Sequence, residues 1–231
     1  MITMQIQKTE KFSIATLSEP MRLSLIGMSG VGKSHWARLM ERHGYRRIIC
    51  DELIARQLGP IINPDKKSTM ELASWMGNPY QSGYAEAQSK YLALEAEVVT
   101  NICAEFEEKI KTNERVIVDT TGSLIYLKAQ LIRRLRDLTK MVYLKHAENN
   151  PHRHYQNLLK DPKPVIWGDH YFPMPGEDRE ASLARCYCEL LTFRSREYSR
   201  ISDCTLEYSF HHNHKRTTTQ MLEVIHKKLA C

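Results

Sequence analysis

The chain has 231 residues, 42% hydrophobic and 26% charged, with a formal net charge of +6. That length and balance fit one α/β domain with a sizeable core and exclude a disordered or fibrous chain. The mild positive charge suits anionic small molecules, and no Lys/Arg run or basic-aromatic array accompanies it, which argues against nucleic acid as a partner.

The six cysteines, Cys50, Cys103, Cys186, Cys188, Cys204 and Cys231, are scattered like reduced thiols rather than set out as a disulfide framework. Cys186 and Cys188 would point to different faces of a helix, poor geometry for a shared metal. No signal-peptide core and no run long enough to span a membrane is seen, so a cytoplasmic protein without membrane contact is expected.

Residues 1–20 are polar with no clear period and read as a flexible lead or an edge addition. Residues 21–231 read as a single domain in which strand and helix alternate, implying a parallel sheet with helices on both faces. The first strand is about Leu23–Ile26 and the first helix runs from Ser34 to His43. Between them lies Gly27-Met28-Ser29-Gly30-Val31-Gly32-Lys33-Ser34, which fits G-x-x-x-x-G-K-[ST], the nucleotide-phosphate loop. Its glycines let the backbone curl so that successive N–H groups face one anion, and the helix dipole points at the same place. Lys33 is placed to reach the β- and γ-phosphates, and the Ser34 hydroxyl to ligate Mg²⁺. A nucleoside triphosphate and Mg²⁺ are therefore the expected cofactors, ATP being the expected nucleotide with GTP left open.

The second strand is about Arg47–Cys50 and ends at Asp51-Glu52. Short helices follow around Leu58-Gly59-Pro60 and Pro64, then a turn at Gly77-Asn78-Pro79-Tyr80. A long helix is predicted over Tyr84–Lys111, with Tyr91, Val98, Ile102, Phe106 and Ile110 at helical spacing. Glu95 falls on that apolar stripe, so it needs either a basic partner or a polar pocket. The third strand, Arg115–Asp119, leads into the turn Thr120-Thr121-Gly122-Ser123 and a helix to about Arg136. The fourth strand, Met141–Leu144, precedes a helix over His152–Lys160.

Residues 161–178 then break the pattern with Pro162, Pro164, Gly168, Pro173, Pro175 and Gly176, interleaved with Trp167, Tyr171 and Phe172. A loop this long and aromatic reads as functional, a lid over about 161–180. A helix over Ala181–Arg200 carries Leu183, Tyr187, Leu190 and Arg194 on its inner side. A last strand at Cys204–Tyr208, a His211-His212-Asn213-His214 surface turn and a closing helix at about Thr217–Leu229 finish the chain.

Ligands of open α/β sheets sit at the C-terminal strand ends. The phosphate loop, Asp51-Glu52 and Asp119-Thr120-Thr121-Gly122 all fall there. Asp119 is the candidate metal-side carboxylate opposite Ser34; a turn-capping Asp is its plainer role. Asp51 either orients or deprotonates an acceptor hydroxyl or caps the next helix. Phosphoryl transfer also needs cations around the moving group. Lys33 is one and Arg194 the best second, unless a buried pair with Glu95 accounts for Arg194. Lys160 and Lys163 flank the mouth of the loop.

The order of these pieces resembles the shikimate kinase family, within the nucleoside monophosphate kinase-like phosphate-loop enzymes. The likeness covers roughly Met21–Tyr208 and rests on the phosphate loop, the acidic strand end Asp51-Glu52-Leu53-Ile54, the turn Thr120-Thr121-Gly122, the Lys163-Pro164 lid start and the Arg194-x-x-x-Tyr198 helix segment. It implies a three-layer fold with a five-stranded parallel sheet in 2-3-1-4-5 order and a lid loop. It also implies phosphoryl transfer from ATP to a small-molecule acceptor held by Asp51, Glu95, Thr120, Thr121, Gly122 and Arg194, with Lys163 over the phosphates. Ile49 stands where the family has the first of two aspartates, Leu92 where it has a substrate arginine, and Thr-Thr-Gly-Ser replaces a triple glycine. These departures lie in the acceptor half and argue for an acceptor other than shikimate. A regulatory nucleotide switch without an acceptor, and a nucleotide or nucleic-acid-end kinase, stay open as alternatives.

Overall fold

The computed structural model describes residues 21–59, 68–109, 113–147 and 151–230. Expectations for residues 1–20, Pro60, Pro64, Ile110 and Cys231 fall outside the described residues. Five short apolar segments form the sheet: β1 (Arg22–Ile26), β2 (Arg46–Ile49), β3 (Val116–Asp119), β4 (Lys140–Leu144) and β5 (Cys204–Leu206). Their order is β2-β3-β1-β4-β5, as expected, and every pairing is parallel. Leu23, Ser24, Leu25 and Ile26 are all 0% exposed, although alternate residues face opposite sides of a strand. Both faces of the sheet are therefore covered, as a parallel sheet requires. Ser24 is tolerated there because its hydroxyl meets that of Thr139 at 2.8 Å.

The helices are α1 (Lys33–Glu41), α2 (Cys50–Leu58), α3 (Ser68–Met76), α4 (Tyr84–Glu108), α5 (Ala129–Leu138), α6 (Pro151–Lys160), α7 (Arg179–Ile201), α8 (Tyr208–His211) and α9 (Thr218–Leu229). α1 lies across β1, β2 and β3 and touches α9, while α4 packs on α2, α3 and α5. α7 starts where the Asp178 side chain accepts from Ala181 N, and α9 where Thr217 and Gln220 form a capping box. The buried stripe of α4 is the predicted one, Tyr91, Val98, Ile102 and Phe106, with Glu95 on it.

One boundary changes the site. β2 stops at Ile49, the last residue paired with β3, and Cys50 is already helical. Asp51 therefore stands in the first turn of α2 rather than on a strand end. It does not cap that helix either, because the N-cap is Ile49 and has no side-chain bond.

The long loop after α6 is anchored over its middle. Tyr84 Oη donates to Val165 O and accepts from Trp167 N, both at 2.8 Å. Val165, Ile166 and Trp167 are buried. The start of the loop, Asp161 and Lys163, remains at the mouth of the cleft described next.

Candidate phosphoryl-transfer site

β1 lies between β3 and β4, where the chain's winding reverses, so a crevice opens above its C-terminal end. The phosphate loop fills that position. Gly27 has φ 138°, and a Cβ there would stand 2.6 Å from Leu144 O, so only glycine lets the loop leave β1 this close to β4. Gly32, at φ 103°, precedes α1 and supplies no side-chain cap. The first N–H groups of α1 are thus left without a capping side chain, as anion binding at a helix start requires.

Above the loop is a cleft of about 510 Å³. Ser29, Gly30, Gly32, Lys33, Ser34, Asp51, Asp119, Thr120 and Lys163 line it, together with His35, Arg38, Arg47, Ile49, Glu52, Thr69 and Asp161. Lys33 Nζ is held by Gly27 O at 2.7 Å and Met28 O at 3.0 Å. Burial lowers its pKa, against the opposing pull of Asp119 and Asp51. Burial raises the pKa of Asp119, which Lys33 and the Ser34 hydroxyl pull back down. Asp119 Oδ2 is buried and makes no hydrogen bond. A buried carboxylate oxygen with spare capacity, beside a serine hydroxyl and facing the phosphate loop, fits a hard divalent cation. Asp51 Oδ1 accepts from Tyr91 Oη at 2.9 Å. Burial raises its pKa, while that bond and then Lys33 and Lys163 lower it. Lys163 bonds Thr69 Oγ1 at 3.1 Å and pairs with Asp161 at 3.0 Å. Lys160 lines an adjoining hollow on the far side of Ser29 and Gly30.

The remaining predicted residues form a layer behind the cleft, and Thr120 joins that layer to the cleft wall. Gly27, Met28 and Val31 support the loop from the core. Thr120 Oγ1 donates to Leu25 O at 2.7 Å. Glu95 is 0% exposed and is bonded by the hydroxyls of Thr121 and Ser123, not by a basic residue. Its pKa is pushed up to about 7, mainly by burial. Arg194 is 2% exposed. Its guanidinium donates to Gly122 O at 2.9 Å and to Ile166 O, and Tyr198 Oη also donates to Gly122 O. The buried Glu95–Arg194 pair is thus not formed, and Arg194 does not line the cleft as a free cation. It braces the 120–123 turn and the 166 loop because two buried carbonyls there need donors. A Cβ on Gly122 would come within 3.3 Å of Ser29 N, so this turn lies directly against the phosphate loop.

Arg47 and Arg38 are cleft cations that the sequence pattern does not mark, and Arg47 is the one that acts on Asp119. It shares a strand face with Ile49, and its charge lowers the Asp119 pKa. The run Arg46-Arg47-Ile48-Ile49 lacks the alternation that would have shown it. In the His-rich turn, His211 is buried and bonds Lys145 O at 2.8 Å, while His212 and His214 are exposed. Among the described residues no group of His, Cys, Asp or Glu could hold a metal by itself, and no helix is long and apolar enough to cross a membrane.

No curated protein matches the chain. Among solved structures, the shikimate kinase from Acinetobacter baumannii in complex with shikimate is 17% identical with a TM-score of 0.60, covering 94% of this chain and 97% of that one. The shikimate kinase from Bacteroides thetaiotaomicron is 14% identical at 0.57, covering 91% and 99%, and that from Aquifex aeolicus vf5 is 16% identical at 0.51, covering 91% and 96%. The fold is thus the phosphate-loop kinase fold of these enzymes. Residues 23–168, well over half of the chain, match the family described as AAA domain, and the chain belongs to that family.

Proposed function

We propose that this protein is an ATP-dependent, Mg²⁺-requiring kinase of a small hydroxyl-bearing molecule. One observation carries this reading: a single cleft joins the phosphate loop, the free carboxylate oxygen of Asp119 and the tethered carboxylate of Asp51. Ser34 and Asp119 would hold Mg²⁺, which supplies charge neutralisation to the phosphates when bound. The start of α1 and Lys33 bind the phosphate oxygens and stabilise charge that builds up in transfer. Arg47 and Lys163 add positive charge at the cleft wall. Asp51 orients the acceptor hydroxyl and takes its proton as the new O–P bond forms and the bond to the ADP oxygen breaks. The Tyr91 bond fixes the carboxylate for that task.

A second reading has its own support. Glu95, Thr121 and Arg194, which the family resemblance gives to the acceptor, are buried and bonded within the protein. That favours a nucleotide hydrolase or switch with no metabolite acceptor. ADP release measured with MgATP across a panel of hydroxy acids, polyols and nucleosides separates the two. The kinase reading expects release that rises at least about tenfold with one acceptor class, given how much an oriented hydroxyl contributes over water. Slow release that no acceptor changes would support the switch.

A further inference from the structure

Three oxygen-to-oxygen contacts lie behind the phosphate loop. Glu95 Oε1 meets Thr121 Oγ1, Glu95 Oε2 meets Ser123 Oγ at 2.5 Å, and the two hydroxyls meet at 2.9 Å. Each contact needs one proton. With Glu95 ionised the two hydroxyls supply only two, both directed at the carboxylate, and the hydroxyl-to-hydroxyl contact has none. A protonated Glu95 supplies the third. The acid then donates to Ser123, Ser123 to Thr121, and Thr121 back to the carboxyl oxygen. Ser123 N also donates to Thr121 Oγ1 at 3.1 Å, which ties the ring to the backbone of the turn.

We propose that Glu95 works as a neutral acid closing this ring with Thr121 and Ser123, and that the ring is a positioning device holding the 121–123 turn against the phosphate loop. Gly122, between the two hydroxyl residues, abuts Ser29 N, and its carbonyl is gripped from the other side by Arg194 and Tyr198. The turn is thus clamped from α4 and from α7 at once. The groups facing Glu95 are Tyr91 on its own helix, Cys50 and Asp51 of α2, Lys33 of α1, and Arg194 and Tyr198 of α7. Burial, the largest cause, and the Asp51 charge favour the neutral form, the Ser123 and Thr121 hydroxyl bonds and then Arg194 oppose it, and the balance puts the pKa at about 7. Raising the pH through that value removes the ring's third proton and loosens the turn.

The functional half of this inference rests on the nucleotide-binding part of the proposed function, and the test keeps the two apart. The amide signals of Gly122 and Ser123 are followed by nuclear magnetic resonance between pH 6 and pH 8.5, and the affinity for ATP with excess Mg²⁺ is measured over the same range. In the wild type the amides are expected to titrate together near neutrality while ATP affinity falls about fivefold, the weight of one hydrogen bond. Glu95→Gln keeps a donor and an acceptor in the ring, so its amides and its affinity should stay near the acid-form wild-type values at every pH. Amides that do not titrate would overturn the neutral acid. An affinity that does not follow titrating amides would overturn the positioning role. A Glu95→Gln protein that binds ATP poorly throughout would show that the ionised carboxylate is the working form. If the wild type binds no ATP at any pH, the phosphate-loop reading and with it the positioning role fail, while the amide titration still judges the ring.

Discussion

Lys33→Met is expected to lower ATP turnover by about a hundred- to a thousandfold, the scale seen when one charge-stabilising donor is removed from a transfer site. The ammonium sits under the loop that would cradle the phosphates, held by Gly27 O and Met28 O. Burial lowers its pKa, and the two site carboxylates, Asp119 and Asp51, pull it back up. Stability should change far less. Met keeps the methylene stem, and removing a desolvated charge offsets the loss of donors to two carbonyls, leaving a net change under about 2 kcal/mol. A coupled assay for ADP and a urea titration read the two quantities separately. Undiminished turnover would remove Lys33 from the chemistry.

The second large effect is on the fold. Arg194→Met should destabilise the protein by about 2–5 kcal/mol, because Gly122 O and Ile166 O lose their charged donor inside the core. That is a large share of the total stability of a typical domain, about 5–15 kcal/mol. Arg194→Lys should rescue only in part, since a single ammonium does not reproduce a planar fork spanning two carbonyls. Proteolysis should open first between 161 and 178, the loop that loses its anchor at Ile166. Urea unfolding and limited digestion measure this directly. A variant as stable as the wild type but inactive would contradict the bracing role and return Arg194 to the phosphoryl group, where the sequence first suggested it.

These two residues show what local pattern reveals and what it does not. The donor side of the site is contiguous in sequence: strand, glycine-rich turn, Lys33, Ser34 and helix. Its physics can therefore be read without tertiary information. The alternation of elements gives a parallel sheet, while the strand order came only from the family resemblance. Glu95 is different. Its stripe position announced a need for partners, but the partners are hydroxyls 26 and 28 residues away, and charge alone pointed to an arginine. The role of Arg194 was hidden for a related reason. Backbone carbonyls, which every residue carries, satisfy it, so no pattern of side chains marks the contact. Asp51 shifted because a strand ends where its neighbour stops pairing, and the end of β3 at Asp119 is a property of the sheet rather than of Ile49-Cys50-Asp51.

In the proposed function the phosphate loop and Asp119 together form a magnesium-nucleotide site. ATP binding measured by calorimetry with and without Mg²⁺, in the wild type and in Asp119→Asn, tests it most directly. Asn keeps the shape of the side chain and removes the charge that a divalent cation would neutralise. Mg²⁺ is expected to tighten ATP binding in the wild type by at least about tenfold, one pK unit's worth of interaction, with most of this gain lost in Asp119→Asn. ATP binding that is indifferent to Mg²⁺, or a gain that survives intact in Asp119→Asn, would contradict it.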